Sequence, residues 1–302
     1  MTNLTYGVFN VNINTGAFFN MSKPIVAIMY DFDKTLSTTD MQNYSFIPAL
    51  KMTPDEFWGA TGEFSKASGT ERILSYMWMM IYLAKQKGIE CTREWLNSLG
   101  KEVEFYKGVE TWFKRINAYG KKHGVIVEHY LISSGTKEIV EGTSIAKYFK
   151  AIYGCEFYYD PVTKLPVWPK LAVNYTQKTQ YIFRISKGVT DITDDNSVNN
   201  KTQKRRVPYE NMIYLGDGMT DVPCMVLVKQ NGGNAIAIYN KTERKNVRSL
   251  NDSGRVNFVC YANYEEGRDI DQTIKLIIEQ VALRAKVAKI ADDLVKKEGR
   301  AK

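Results

Sequence analysis

The chain has 302 residues, enough for one large domain or two ordinary ones, and its 44% hydrophobic and 25% charged residues are those of a globular protein. No stretch reaches the ~18 consecutive apolar residues of a membrane-spanning helix, so no membrane partner is expected. The net charge of +8 is not drawn into a basic stripe interleaved with aromatics, which argues against a nucleic-acid partner and suits the approach of a small anionic substrate.

Residues 1–20 are Asn-rich and aperiodic, lack the charged and apolar regions of a secretory signal, and read as an N-terminal extension. Residues 25–30 (IVAIMY) are a continuous apolar run, the pattern of a strand buried on both faces, and they end at Asp31. From Asp40 to Tyr106 no strong strand follows. Thr53 and Pro54 signal one helix start, Gly69 to Glu71 a second and Thr92 a third. Apolar residues at Val109, Trp112, Phe113 and Ile116 then trace one face of a helix over 108–119.

A second buried strand is expected over 125–132, ending at Ser133, with a helix over 137–148. Helix 176–185 follows, and 188–209 is a polar, turn-rich segment expected to be an exposed loop or hairpin. Strands are expected at 212–215, ending at Gly216 and Asp217, at 234–239, and at 256–261, before an amphipathic helix over 270–287. Alternating strands and helices predict an α/β fold, a doubly wound parallel sheet in a Rossmann-like three-layer α/β/α core, with ligands held outside the carboxyl ends of the strands. The organisation expected is an extension (1–20), a core (21–44 and 106–302) and an α-helical cap inserted in it (45–105). Cys91, Cys155, Cys224 and Cys260 are widely spaced with no CxxC, so reduced thiols in a cytoplasmic protein are expected rather than zinc or disulfides.

Three elements carry chemistry. Asp31, Asp33 and Thr35 follow the first strand, and two carboxylates at i and i+2 on a tight loop converge on one place, where one can attack or bind metal and the other move protons. Ser133, Ser134 and Gly135 follow the second, where a hydroxyl and loop N–H groups can cradle an anion. Gly216, Asp217, Gly218 and Asp221 follow the third, a tight turn with two carboxylates four residues apart, a hard oxygen site suited to Mg2+.

In this order, each at a strand end, the elements resemble the haloacid dehalogenase superfamily: a first motif DxDxT (Asp31, Asp33, Thr35), a second-strand Ser (Ser133) and GDGxxD (Gly216, Asp217, Gly218, Asp221). The superfamily's remaining motif, a lysine, has two matches at the two ends of one helix, Lys178 and Lys187; Lys178, at the helix start, can point back toward the sheet edge and is the expected one. The resemblance implies a Mg2+-dependent phosphatase with a small phosphorylated metabolite as substrate. Asp31 would attack phosphorus to form an aspartyl phosphate, and Asp33 would serve as acid and then base. Asp31, the Asp33 backbone carbonyl and Asp217 would hold the metal with Asp221 nearby, and Thr35, Ser133, Ser134, Gly135 and the lysine would surround the phosphate. The second acid of DxDxT separates this pattern from the halide-removing members. The cap resembles that of phosphoserine-phosphatase-like members, where Asp40 would meet a substrate amine and Arg72 a carboxylate. Transfer to another acceptor, hydrolysis of a nucleotide or larger phosphorylated partner, and a non-catalytic scaffold are the alternative readings.

Overall fold

The computed structural model describes residues 23–202, 204–240 and 249–300; the 1–20 extension lies outside the described residues. A seven-stranded sheet forms the centre. Its strands are β1 (Ile25–Tyr30), β2 (Ile126–Thr136), β3 (Phe149–Tyr159), β4 (Pro166–Leu171), β5 (Met212–Gly216), β6 (Asn234–Tyr239) and β7 (Phe258–Tyr261), in the spatial order β4-β3-β2-β1-β5-β6-β7. All neighbours are parallel except β3 and β4, which pair antiparallel at one edge. The α/β doubly wound architecture is therefore as expected, with one added antiparallel edge strand.

Five of the six residues of β1 are buried, and all five of β5. Both strands are runs of mostly apolar side chains, which suits strands covered on both faces. One helical layer pairs α5 (Val109–Lys122) with α10 (Asp269–Arg300), and the other pairs α7 (Gln177–Lys187) with α9 (Val222–Gln230). The chain winds from β1 outward through β2 and β3, then returns to place β5 on the other side of β1. The reversal opens a crevice between the carboxyl ends of β1 and β5.

Helices α1 (Phe46–Ala49), α2 (Pro54–Ser68), α3 (Arg72–Gln86) and α4 (Arg93–Leu99) fill the interval after β1. Their starts follow the sequence signals. Thr53 forms a reciprocal capping box with Glu56, Pro54 is the first helical residue, and Thr92 caps α4 through the Trp95 amide. Between α4 and α6 (Lys137–Glu141) the backbones touch: a Cβ on Gly142 would lie 1.7 Å from the Asn97 carbonyl oxygen, so only glycine permits that approach.

Several expected boundaries move. β2 does not stop at 132 but runs through Ser133 and Ser134 to Thr136, and the expected helix 137–148 shortens to α6 plus a 3-10 turn at Ala146–Tyr148. The β3–β4 pair lies where no strand was expected. Segment 188–209 is largely an exposed loop, as one of the two expectations had it, with a short helix, α8 (Asp195–Asn199), tied down by Arg184, and no hairpin among its described residues. The last strand begins at Phe258 rather than 256, and the last helix continues thirteen residues past 287 to Arg300.

Candidate active site

The Asp31 amide donates to the Leu215 carbonyl at 2.9 Å, so the first loop is stitched to β5 at the point where β1 ends. Asp217 follows β5 directly, which brings it to the same crevice. One oxygen from each of Asp31, Asp217 and Asp221 falls within 4.8 Å of the others. Gly216 makes room for this arrangement, since a Cβ there would come within 2.6 Å of the Asp221 carboxyl.

Lys178, in the first turn of α7, is buried, and its Nζ donates to Asp31 Oδ1 at 2.8 Å and to Asp221 Oδ1 at 2.7 Å. The Tyr214 hydroxyl donates to the same Asp221 oxygen at 2.7 Å. Lys187, at the other end of the helix, reaches instead to the Asn200 carbonyl at 2.8 Å. Of the two lysines matched in the sequence, the structure brings Lys178 to the carboxylates. Burial works against its charge, yet Asp221 and Asp31 raise its pKa above the ordinary lysine value.

The carboxylates carry the opposite perturbation. Burial first, and then the Asp221 charge, push Asp31 up to about 7 against the pull of Lys178. Burial, Asp40 and Asp31 hold Asp33 well above the usual carboxylate range, and burial with Asp31 and Asp221 does the same for Asp217. Such crowding of acids around one buried lysine is relieved by a further cation. The donor set is all hard oxygen, and the chain's two histidines stand elsewhere, so these residues fit Mg2+.

Asp33 accepts from the Met41 amide through Oδ1 at 2.7 Å, leaving Oδ2 for a proton. Lys34, directly after Asp33, holds φ at 56°, a left-handed conformation that strains a non-glycine residue by about 1–3 kcal/mol. Its Nζ lies 3.4 Å from Asp40 Oδ2. Ser133 Oγ accepts from the Gly135 amide at 2.9 Å. A Cβ on Gly135 would strike the Met41 methyl at 2.1 Å and stand 3.0 Å from Asp33 Oδ2, so the second element packs directly on the first. The hydroxyl oxygens of Thr35 and Ser134 are buried with no hydrogen-bond partner among the described residues. Arg72 is exposed at the start of α3. One turn on, the Tyr76 hydroxyl donates to the Ser134 carbonyl at 2.7 Å, fastening α3 to the second element.

Sequence reasoning missed Tyr214, Tyr76 and the Lys34–Asp40 pair. Tyr214 carries a signal in hindsight: it is the polar-tipped residue of an otherwise apolar strand. Tyr76 carries none, because one aromatic among several in helices α2–α4 does not announce a backbone carbonyl as its partner.

The fold and the crevice define an α/β protein with an acidic, lysine-bridged site at the switch point of its sheet. No protein-family model matches the chain. An uncharacterized protein of Borreliella burgdorferi is 27% identical over 294 residues, covering 87% of this chain and 99% of its own. Among solved structures, a HAD family hydrolase of Salmonella enterica serovar Typhi superposes with a TM-score of 0.54 at 16% identity, covering 83% of this chain and 70% of that one. A phosphoserine phosphatase, solved as an analogue of its phospho-aspartyl intermediate, superposes with a TM-score of 0.50 at 17% identity over 84% of this chain and 99% of its own. The chain thus has the fold of the HAD-type hydrolases and phosphoserine phosphatases.

Proposed function

We propose that the protein is a Mg2+-dependent phosphatase that hydrolyses a small phosphomonoester through an aspartyl phosphate on Asp31. The observation that carries this reading is the buried Lys178 bridge between Asp31 and Asp221 with Asp217 beside it. A scaffold has no use for three crowded carboxylates, whereas phosphoryl transfer needs a nucleophile and fixed positive charge together. The phosphoserine phosphatase trapped as a phospho-aspartyl analogue supports the same chemistry by likeness of fold.

In this reading an ionised Asp31 oxygen forms a bond to phosphorus as the ester P–O bond breaks. Lys178, bonded to Asp31, lowers the energy of the ionised form and neutralises charge on the phosphoryl oxygens. Asp33, whose pKa burial and the charges of Asp40 and Asp31 raise well above the usual carboxylate range, gives its proton to the leaving alkoxide. It then takes a proton from the water that attacks the aspartyl phosphate, releasing inorganic phosphate and restoring Asp31. Thr35, Ser133 and Ser134 would donate to the phosphate, and the Gly135 amide, which donates to Ser133 Oγ at 2.9 Å, would orient that hydroxyl. Asp31, Asp217 and the Asp33 carbonyl would hold Mg2+, which when bound supplies charge neutralisation for the phosphoryl group. Asp221, already engaged by Lys178 and Tyr214, positions the lysine.

Helices α2–α4, as a cap, would select the substrate. Asp40 is the group that would meet a substrate amine, but Lys34 pairs with it, which disfavours a free ammonium there; Arg72 remains exposed and available to an acidic substituent. Phosphate release from a panel of phosphomonoesters with Mg2+ tests the reading. No release from any of them, by a folded protein, would remove it.

A further inference from the structure

Helix α10 carries two apolar stripes on opposite faces. Ile270, Ile274, Ile277, Ile278 and Val281 are buried against the core. Leu276, Leu283, Val287, Ile290 and Leu294 are each more than half exposed. At about 100° per residue the second set falls roughly 180–240° around the helix from Val281, the far side from the core. No described residue covers it. From Leu283 to Leu294 the steps are four, three and four residues, and Leu276 lies seven before Leu283. That is the narrow two-in-seven seam of a coiled coil rather than a broad apolar face, and it repeats about every 3.5 residues.

We propose that this seam is a dimer interface in which α10 of two copies of the chain packs as an antiparallel coiled coil. The flanking charges argue for a second copy and fix the arrangement. With Leu283 opposite Leu294 of the second copy, Val287 meets its Ile290, and the same contacts recur by the two-fold axis. Lys286 then lies beside Asp293 of the second copy, twice. Slipping the pair by one heptad in one direction sets Lys286 against Lys286, and in the other Asp293 against Asp293. A parallel pairing sets Asp293 beside Glu298. Only the first register places both Lys286 and Asp293 against opposite charge; the parallel pairing's contact of Glu279 with Arg284 competes with the hydrogen bond that Glu279 accepts from Tyr119. The geometry also leaves room for both bodies. Each core sits on the side of its helix away from the seam, so the two lie on opposite sides of the helix pair. The seam from Leu283 to Leu294 runs about 17 Å and includes four apolar residues from each copy.

Sedimentation equilibrium of the full chain at tens of micromolar tests this. The expected mass is that of a dimer. Leu283→Asp with Ile290→Asp should give a monomer with unchanged circular dichroism, since both side chains face away from the core. Lys286→Glu alone should weaken the dimer at least tenfold, and adding Asp293→Lys should restore it. A monomeric wild type overturns the proposal, as does a dimer indifferent to Leu283→Asp with Ile290→Asp. A monomer that co-floats with anionic vesicles would reassign the seam to a lipid surface. A dimer lost in the seam variant but untouched by Lys286→Glu would overturn the antiparallel register.

Discussion

Lys178 Nζ lies 2.8 Å from Asp31 Oδ1 and 2.7 Å from Asp221 Oδ1, so a single buried ammonium joins the loop after β1 to the loop after β5. Replacing it with methionine keeps an unbranched side chain only one atom shorter and deletes the charge. Asp31 and Asp221 would then face each other in a buried place without a described cation between them. Leaving buried charge uncompensated costs about 3–5 kcal/mol, and a lost donor to the transferring phosphoryl group costs about 10²–10³ in rate. Lys178→Met is therefore expected to lower the urea midpoint and to abolish most phosphate release. Mg2+ should recover part of the stability and little of the rate. A variant with wild-type turnover would show that Lys178 is only structural.

The two acids of the first loop should fail differently. Asp31→Asn removes the attacking oxygen, and no phosphoenzyme should form in rapid-quench experiments with labelled substrate. Asp33→Asn leaves the backbone carbonyl and removes only proton transfer, a loss of about 10²–10⁴. With p-nitrophenyl phosphate, whose leaving group hardly needs a proton, formation of the phosphoenzyme should suffer less than its breakdown. Equal damage to both half-reactions would contradict the shared acid–base role.

The crowding of carboxylates gives the proposed metal dependence a test. Burial and mutual repulsion raise Asp31 to about 7 and raise Asp217 as well. Between the ordinary carboxylate pKa near 3.8 and about 7, the metal-free folded protein thus binds more protons at these sites than the unfolded chain. Their contribution to stability falls as pH rises through that window. A divalent cation bound there reverses the penalty. EDTA-treated protein is expected to lose activity, to regain it with Mg2+ and poorly with Ca2+, and to gain thermal stability from Mg2+ more at pH 8 than at pH 5. Asp217→Asn should remove the Mg2+ effect on melting, and a Mg2+ shift of equal size at both pH values would count against the site.

The strand-end carboxylates were legible because the chemistry is written locally: an apolar run, then acids and glycines where a sheet edge must be. Lys178 was legible only as the better placed of two lysines, because a helix start can face the sheet edge while the packing that brings this end to β1 and β5 is not written locally. Strands β3 and β4 were missed for separate reasons. Lys150, Gly154 and Glu156 interrupt β3, and Pro166 and Pro169 suppress a strand reading of β4, although prolines are tolerated at a sheet edge. The end of α10 was missed because past Val287 its apolar residues no longer face the core.

The Lys34–Asp40 pair makes a statement about substrate. Both side chains are about one-third exposed, so the pair adds little stability. Its consequence is that Asp40 is already satisfied, with Lys34 held charged by Asp40, Asp217 and Asp33 although burial opposes it. Lys34→Ser would free Asp40 for an ammonium and also relax the left-handed backbone less than glycine would. The ratio of kcat/KM for O-phosphoserine over phosphoglycolate should rise about tenfold in this variant, as expected for about 1.4 kcal/mol of altered charge complementarity. An unchanged ratio would place the pair outside the substrate's reach.

His129 sets a pH dependence remote from the crevice. Trp112 Nε1 donates to the Tyr30 hydroxyl at 2.8 Å, which in turn lies 2.9 Å from His129 Nδ1, while His129 Nε2 lies 3.0 Å from Asn117 Oδ1. The tryptophan can only donate and the asparagine oxygen can only accept, so the hydrogen bonds run in one direction. Tyr30 donates to Nδ1, and Nε2 carries the proton that goes to Asn117. A second proton, on Nδ1, would turn that acceptor into a donor and strand the tyrosine hydrogen. Burial pushes the His129 pKa down to about 3. The unfolded chain takes up this proton below about 6.5 and the folded chain does not, so stability is full above pH 6.5 and is lost as pH falls toward 3. The slope is about 1.4 kcal/mol per pH unit. Between pH 6.5 and 4.5 His129 should therefore withdraw roughly 2 kcal/mol, opposing the site carboxylates, whose raised pKa values favour the folded state as pH falls. Urea unfolding of wild type and His129→Gln across this range isolates the histidine. The glutamine variant is expected to lose stability at pH 7.5 but to lack this slope, and parallel stability curves for the two proteins would show that His129 takes up its proton in the folded state.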